Sequence, residues 1–360
     1  MILVIMHHLS IFYVANIPSY YLEPTNDPLV SGVLFNFQLL NQSFFMGLLF
    51  LISGYFTPPS FDHKGSVKFI KDRLVRLGIP LIIYIFVINP VALLVGIHYT
   101  SPSLNIYTIV YAMLQLFPWW QLYPEFIGIG PLWFIIMLLI FDFSYVLWRL
   151  ILKNEVVHPL NGSSSLTYQN ISIYILMLTL TSYLIRIILP MDFTLLGFPT
   201  LSYLPQYVSF FLIGTAAYRN DWLRKISGSM AIRVFVISLI AAFILFPLAL
   251  TGHFEGRGSW ESGVYALWDS TFAVGMSLAL ITIFRQYINL QKRYGQFLSQ
   301  QSYMVYIVHI LIIVLIAAIV LQGLYIESFL KFGLATILSV PSCFGAAYLI
   351  RKIPFVDKVI

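Results

Sequence analysis

Residues 302–322 read SYMVYIVHILIIVLIAAIVLQ, an apolar stretch without Asp, Glu, Lys or Arg. A helix needs about 20 such residues to cross the hydrocarbon core of a bilayer. Because backbone polar groups must be satisfied internally in lipid, a segment of this kind is expected to be helical. The stretch therefore predicts a transmembrane helix. The other segments are judged by the same two properties, their length and their lack of charged residues.

The composition of the whole chain leads to the same class of protein. Of the 360 residues, 59% are hydrophobic and 9% are charged, whereas a soluble domain is about 25% charged. This excludes a soluble enzyme, a disordered chain, a collagen-like repeat and a disulfide-stapled secreted domain. Cys343 is the single cysteine, so no intrachain disulfide forms. We predict an all-α, polytopic membrane bundle that forms one domain over residues 1–360.

Hydropathy gives about ten transmembrane helices. The predicted spans are 1–16, 36–56, 77–97, 131–151, 171–190, 205–219, 230–251, 262–285, 302–322 and 330–350. The first span is short for a helix that enters the membrane at Met1, and no basic residue precedes it. We expect this helix to continue upstream of Met1.

The distribution of positive charge predicts the orientation. Seventeen of the 20 Lys and Arg residues lie on alternate connections between the spans, and the others are Arg186, Arg257 and Lys331. Cytoplasmic loops carry the excess of basic residues, so we expect both termini in the cytoplasm and a multi-pass protein of the plasma membrane. We interpret the basic patches as topology signals, and we expect no nucleic-acid partner.

Ionisable residues inside a membrane are costly and usually face a cavity or a partner. The spans contain His7, His8, Asp142, Asp269 and His309, and Arg186 lies where it could extend its guanidinium to the outer interface. Neighbouring helical residues point about 100° apart, so at most one of His7 and His8 faces a given cavity squarely. A neutral imidazole is a suitable general base, although a buried histidine that hydrogen-bonds another helix explains the pair equally.

Three further groups of residues are candidates for binding. Arg73 and Arg76 are three positions apart, so on an α-helix they share a face that suits a polyphosphate or a carboxylate; the alternative is anchoring at the lipid headgroups. Asp269 follows Trp268 in the eighth span. Ser302, Tyr303, Tyr306 and His309 form either a polar seam between helices or one wall of an acceptor pocket. We expect no metal site.

These motifs, in this order, resemble membrane-bound acyltransferase family 3, which includes proteins that modify glucans and O-antigens. The resemblance runs over nearly the whole chain. It rests on His7-His8, Ser53-Gly54, Arg73-Leu74-Val75-Arg76, Gly130-Pro131-Leu132-Trp133, Leu204-Pro205-Gln206-Tyr207, Ala217-Tyr218-Arg219, Trp268-Asp269 and the Ser302–His309 segment.

The resemblance implies ten helices and transfer of an acyl group, acetyl or succinyl, from cytoplasmic acyl-CoA to a hydroxyl of a glycan or other cell-envelope acceptor. The family's first-helix motif places a basic residue eleven positions before a histidine; here that histidine is His8, and the basic position precedes Met1. His8, with His7 beside it, is the expected catalytic base, and Arg73 with Arg76 the expected ligands of the CoA phosphates. Acyl-CoA is a co-substrate, and no tightly bound cofactor is expected.

The expected acceptor pocket consists of Trp133, Asp269, Ser302, Tyr303, Tyr306 and His309. Two other functions stay open at this stage. Buried His and Asp residues also suit a proton-coupled transporter or flippase of a lipid-linked or organic-acid substrate. A relative that binds without turnover is the third possibility.

Overall fold

We describe the protein from a computed structural model. It describes residues 1–15, 17, 19–100, 128–152, 166–195, 198–199, 201–288 and 293–359. The chain divides into two compact units, of which the first is Met1–Asn41, Leu74–Trp133 and Gln291–Ile360 and the second is Gln42–Arg73 and Phe134–Leu290. The one-domain assignment over residues 1–360 stays a prediction.

Most of the described residues are helical, and they form no β-strand. The helices are α1 (Ile2–Ile11), α2 (Pro28–Lys64), α3 (Ser66–Thr100), α4 (Gly130–Ile151), α5 (Tyr168–Ile188), α6 (Leu204–Asn220), α7 (Trp222–Lys225), α8 (Gly228–Ala249), α9 (Trp260–Tyr287), α10 (Arg293–Leu321), α11 (Ser328–Arg351) and α12 (Val356–Val359). Helix α3 contains two π-helical turns, and α10 ends in one.

Eight of these helices are long and apolar enough to cross a membrane, namely α2 to α5 and α8 to α11. They coincide with eight of the ten predicted spans, so the prediction of a polytopic helical membrane protein is confirmed. The other two spans fall on shorter helices. Helix α6 has 17 residues and α1 has 10, which at 1.5 Å per residue gives about 26 Å and about 15 Å.

Local sequence explains where several helices begin. Thr167, Ser227 and Ser259 precede α5, α8 and α9, and each side-chain oxygen accepts a hydrogen bond from a backbone N–H three residues later. These contacts satisfy donors that a helix cannot satisfy internally. The starting points of these three helices are therefore marked by single polar residues in the sequence.

The first unit is built around α1, α10 and α11. Their apolar side chains form one core in which Ile5 and Leu9 of α1, Ile313 of α10 and Ala335 of α11 are fully buried. Asn41 at the end of the first unit's part of α2 donates a hydrogen bond to the Leu3 carbonyl at 3.1 Å. Helix α1 is thus fixed on several sides despite its short length.

The second unit uses glycine where helices cross. Gly54 of α2 faces the Phe211 carbonyl of α6, and Gly214 of α6 faces the Leu51 carbonyl of α2, so that a Cβ at either position would overlap the opposite backbone. Small residues permit this close approach in membrane helices, where packing rather than water exclusion drives association. The pair fixes the crossing of α2 and α6.

Candidate functional site

Three histidines of the first unit, His7, His8 and His309, form one cluster. The His8 ring of α1 lies 5.0 Å from the His309 ring of α10, at an interplanar angle of 36°. The His7 ring meets His8 edge-on at 5.4 Å and 87°. His309 is fully buried, whereas His8 is half-buried. The structure therefore brings together three imidazoles from the two ends of the sequence.

His7 and His8 both belong to the cluster but differ in accessibility, since His7 is buried and His8 is half-buried. His7 and His8 point in different directions because successive helical residues are about 100° apart. The Ser10 hydroxyl donates to the His7 carbonyl at 2.7 Å, and Leu9 is buried in the core of the first unit. His8 is left partly accessible beside His309. Of the two predicted catalytic residues, His8 has the better position for a base.

The hydrogen bond of His309 defines which of its two ring nitrogens carries the proton. Its Nδ1 lies 2.8 Å from the Tyr306 carbonyl oxygen, and because a carbonyl only accepts, Nδ1 carries the proton. In the neutral ring, Nε2 then holds the lone pair. This nitrogen is buried and has no partner among the described residues. His309 thus presents an acceptor nitrogen in the cluster that contains His8.

Tyr306 connects the cluster to the start of α4. Its ring stacks on His309 with centroids 6.0 Å apart and an angle of 21°, and its hydroxyl donates to the Pro131 carbonyl. Trp133, two residues further on, is 7% exposed and begins the regular part of α4. Tyr306 therefore holds the Gly130–Leu132 turn against α10 within the first unit.

Two other predicted acceptor residues of α10 use their hydroxyls for backbone contacts. Ser302 donates to the Leu298 carbonyl at 2.7 Å, and Tyr303 donates to the Arg76 carbonyl at 2.6 Å. Ser302 is seven residues from His309, which is about 10 Å along a helix. These two hydroxyls are not directed at the histidines, and their role in acceptor binding stays a prediction.

The two predicted phosphate ligands have different surroundings. The Arg76 side chain is exposed. In the second unit, Arg73 Nε lies 3.0 Å from Asp142 Oδ2, and the Arg73 guanidinium lies over the Phe69 ring at 4.9 Å. The Thr57 hydroxyl donates to Asp142 Oδ1 at 2.9 Å. A fully buried carboxylate thus holds Arg73 through Nε.

Asp269 belongs to the second unit and forms an ion pair with Arg186, 2.8 Å from Nη2 to Oδ2. The rings of Tyr203 and Tyr265 lie 4.8 and 5.1 Å from the guanidinium carbon. Both charged side chains are buried, at 0% and 2% exposure. The expectation that Arg186 extends to the interface is wrong, because the buried Asp269 carboxylate and the two aromatic rings hold its guanidinium in the interior.

A tyrosine pair forms another polar group of the first unit. The Tyr20 hydroxyl donates to Asn89 Oδ1 at 2.5 Å and lies 3.0 Å from the Tyr84 hydroxyl. Because Tyr20 has one proton to give, Tyr84 is the donor between the two tyrosines. Burial raises the pKa of Tyr20 to about 12, against a smaller opposite effect of the Tyr84 hydrogen bond. Tyr20 therefore stays protonated at neutral pH.

Comparison with known proteins identifies the family. A family model described as an acyltransferase domain, of acyltransferase family 3, matches residues 1–348. The chain belongs to acyltransferase family 3. No curated protein and no solved structure matches the chain significantly. The family resemblance inferred from the motifs is thus confirmed, and the chain is a multi-pass membrane acyltransferase.

The geometry gives this acyltransferase two groups that can accept a proton in one place. Acyl transfer to an alcohol needs a base near the hydroxyl and donors for the oxyanion. His8 and the Nε2 of His309 can serve as acceptors, whereas the Tyr20 and Tyr84 protons are already donated to Asn89 and Tyr20. Among the described residues no group of three or more His, Cys, Asp or Glu side chains converges on a metal position. That the enzyme works without a metal stays a prediction.

Tyr20, Tyr84 and Asn89 were missed by sequence reasoning. None of them lies in a recognisable motif, and Tyr20 lies in the connection between α1 and α2. The sequence did contain one signal, the polar residue Asn89 before Pro90 within an otherwise apolar span. A buried side-chain amide in a membrane helix needs a hydrogen-bond partner. Its partner could not be identified from the sequence alone.

Proposed function

We propose that this acyltransferase moves an acetyl or succinyl group from cytoplasmic acyl-CoA to a hydroxyl of a glycan or another cell-envelope acceptor, with His8 as general base. The observation that carries the proposal is the pairing of half-buried His8 with His309 in a protein of acyltransferase family 3. A base must be accessible to its substrate, and His8 is the more exposed of the two.

The reaction follows from ordinary acyl-transfer chemistry. His8 takes the proton from the acceptor hydroxyl while its oxygen attacks the thioester carbon. The tetrahedral intermediate carries negative charge on oxygen, which hydrogen-bond donors stabilise. The carbon–sulfur bond then breaks, and CoA leaves as a thiol with the proton that His8 held. The product is an ester, and the histidine returns to its neutral form without a change in oxidation state.

Arg73 and Arg76 are the proposed ligands of the CoA phosphates. Arginine binds phosphate through paired N–H donors. Asp142 uses the Nε edge of Arg73, which leaves the two terminal nitrogens for an anion. Arg76 is exposed. The proposed acceptor residues stay Trp133, Asp269, Ser302, Tyr303, Tyr306 and His309. His309 is supported by its ring contact with His8, and Tyr306 by its stacking on His309.

The test uses purified, reconstituted protein with acetyl-CoA or succinyl-CoA labelled in the acyl group and with membrane glycans as acceptors. The expected result is label in the glycan fraction that mild alkali releases, as an ester requires, together with one free CoA thiol per ester. If a folded protein forms no labelled product with either donor but accumulates an organic acid or lipid-linked sugar in vesicles, transport replaces the proposal.

A further inference from the structure

The second unit contains a cavity that the acyl-transfer chemistry does not use. It has a volume of about 270 Å³. Its walls come from α2, α5, α6, α7, α9 and the residues that join α7 to α8, and they are almost entirely apolar; Leu51, Ile171, Phe210, Val274 and Leu278 are among them. The volume and the apolar lining suit a hydrocarbon chain.

Two polar groups in this lining have no partner among the described residues. Ser277 is 2% exposed, and its hydroxyl lacks the usual bond to a carbonyl of the preceding turn. Trp222 also lines the cavity, and its buried indole N–H donates to nothing described. Buried donors in native proteins are nearly always satisfied. An occupant with an acceptor oxygen, such as the ester carbonyl of a lipid, would satisfy them.

The wall that contains Trp222 is held in place by Arg285. Its guanidinium donates to the carbonyls of Leu223 and Ile226, the latter at 2.5 Å. Leu223 and Ile226 both line the cavity. The segment is therefore ordered by hydrogen bonds that do not depend on an occupant, so the cavity is preformed.

Positive charge surrounds this wall. Arg224 and Lys225 lie between Leu223 and Ile226 in sequence, and both are exposed. Arg233 is exposed as well and donates to the Tyr168 hydroxyl at 3.3 Å, close in sequence to the lining residues Leu166 and Asn170. Asp221, 3.6 Å from Arg224, is the acidic neighbour. The excess of cations attracts the phosphate of an anionic lipid.

We propose that this cavity binds one acyl chain of an anionic phospholipid, whose phosphate lies at Arg224, Lys225 and Arg233. The ester carbonyl accepts hydrogen bonds from Trp222 and Ser277. The site is independent of acyl transfer, since it holds the lipid without changing any covalent bond. A bulk lipid that merely contacts the protein would show no preference for a headgroup. Selectivity for an anionic headgroup therefore distinguishes a specifically bound lipid from a bulk lipid.

Trp222 provides the probe for the test. The protein is reconstituted in phosphatidylcholine vesicles that contain a tenth of brominated phosphatidylglycerol or, separately, a tenth of brominated phosphatidylcholine. Bromine quenches tryptophan fluorescence on contact, and the difference between the parent and Trp222→Phe isolates Trp222. The expected result is at least threefold more Trp222 quenching with phosphatidylglycerol than with phosphatidylcholine.

Two substitutions on α6 form a matched pair. Ile213→Phe fills the cavity and is expected to abolish the selective quenching, whereas Val208→Phe, outside the lining, leaves it unchanged. Arg224→Gln with Lys225→Gln is expected to equalise the two lipids. Equal quenching by both lipids in the parent, or selective quenching that survives Ile213→Phe in a variant of normal melting temperature, would overturn the proposal.

Discussion

Arg73 and Asp142 form an ion pair in the second unit, 3.0 Å from Nε to Oδ2, with the carboxylate fully buried and the arginine side chain 24% exposed. The pair connects the proposed donor site to the interior of that unit. Because the carboxylate contacts Nε, Arg73 is held in one orientation while its two terminal nitrogens stay available as donors to a phosphate.

Asp142→Asn is expected to raise the KM for acyl-CoA about tenfold, with kcat within a factor of two. The amide keeps the volume but loses the charge that orients Arg73. Steady-state kinetics with varied donor concentration measures both constants. Thr57→Val, which removes only the hydrogen bond to Asp142, serves as the milder control. A fall in kcat at unchanged KM would contradict a positioning role.

The direction of the hydrogen bonds at Tyr20 predicts that Tyr20→Phe and Tyr84→Phe lower the free energy of unfolding by different amounts. Tyr20→Phe removes the donor to Asn89, and a buried acceptor that loses its donor costs about 1–3 kcal/mol. Tyr84→Phe leaves Tyr20 free to donate to Asn89 and is expected to cost about 1 kcal/mol. Thermal unfolding of the purified variants gives the comparison. Equal or reversed destabilisation would show that the donor order is wrong.

The close crossing of α2 and α6 predicts that two glycines of α2 differ in how much an alanine substitution destabilises the protein. Gly54→Ala is expected to destabilise the protein by about 1–3 kcal/mol, since its Cβ overlaps the Phe211 carbonyl. At Gly32 an added Cβ meets nothing within 4 Å. Gly32→Ala is therefore neutral, or stabilising by up to about 1 kcal/mol from helix propensity. Unfolding temperatures that fall equally in both variants would contradict the close crossing.

The buried pair of Arg186 and Asp269 is expected to show strong coupling. Removing either charge leaves the other without its partner in the interior, which costs about 3–5 kcal/mol. The double variant Arg186→Met with Asp269→Leu should be markedly more stable than either single variant. A double-mutant cycle of unfolding free energies measures this. If the losses of unfolding free energy in the two single variants simply add in the double variant, the two side chains are not coupled and the prediction is contradicted.

The helices were predictable because hydropathy is a local property. Eight predicted spans coincide with helices that can cross a membrane, and the polar caps Thr167, Ser227 and Ser259 are readable in the sequence. The sixth span, 205–219, agrees with α6 to within one residue at each end, whereas the first span, 1–16, was predicted too long. An apolar stretch near the lower length limit does not reveal whether its ends continue as helix, as the residues after Ile11 show.

The contacts of the candidate site were less predictable, since they join residues far apart in the chain. His8 and His309 were both candidates, but nothing local to either indicates that their rings meet. Asp142 was noticed as an intramembrane charge without a partner, and the fold supplies Arg73. Arg186 was expected at the interface because long side chains often extend there. Its burial depends on Tyr203, Tyr265 and Asp269 from other helices.

The most direct test of the central claim is the rate of acyl transfer by His8→Ala beside His98→Ala. His98 is an exposed histidine of α3. Its substitution shows whether the loss of any imidazole lowers the rate, or only the loss of His8. General base catalysis contributes about 10²- to 10⁴-fold, so kcat of His8→Ala should fall by that factor while His98→Ala matches the parent. A folded His8→Ala protein that keeps kcat within a few-fold of the parent would contradict the account.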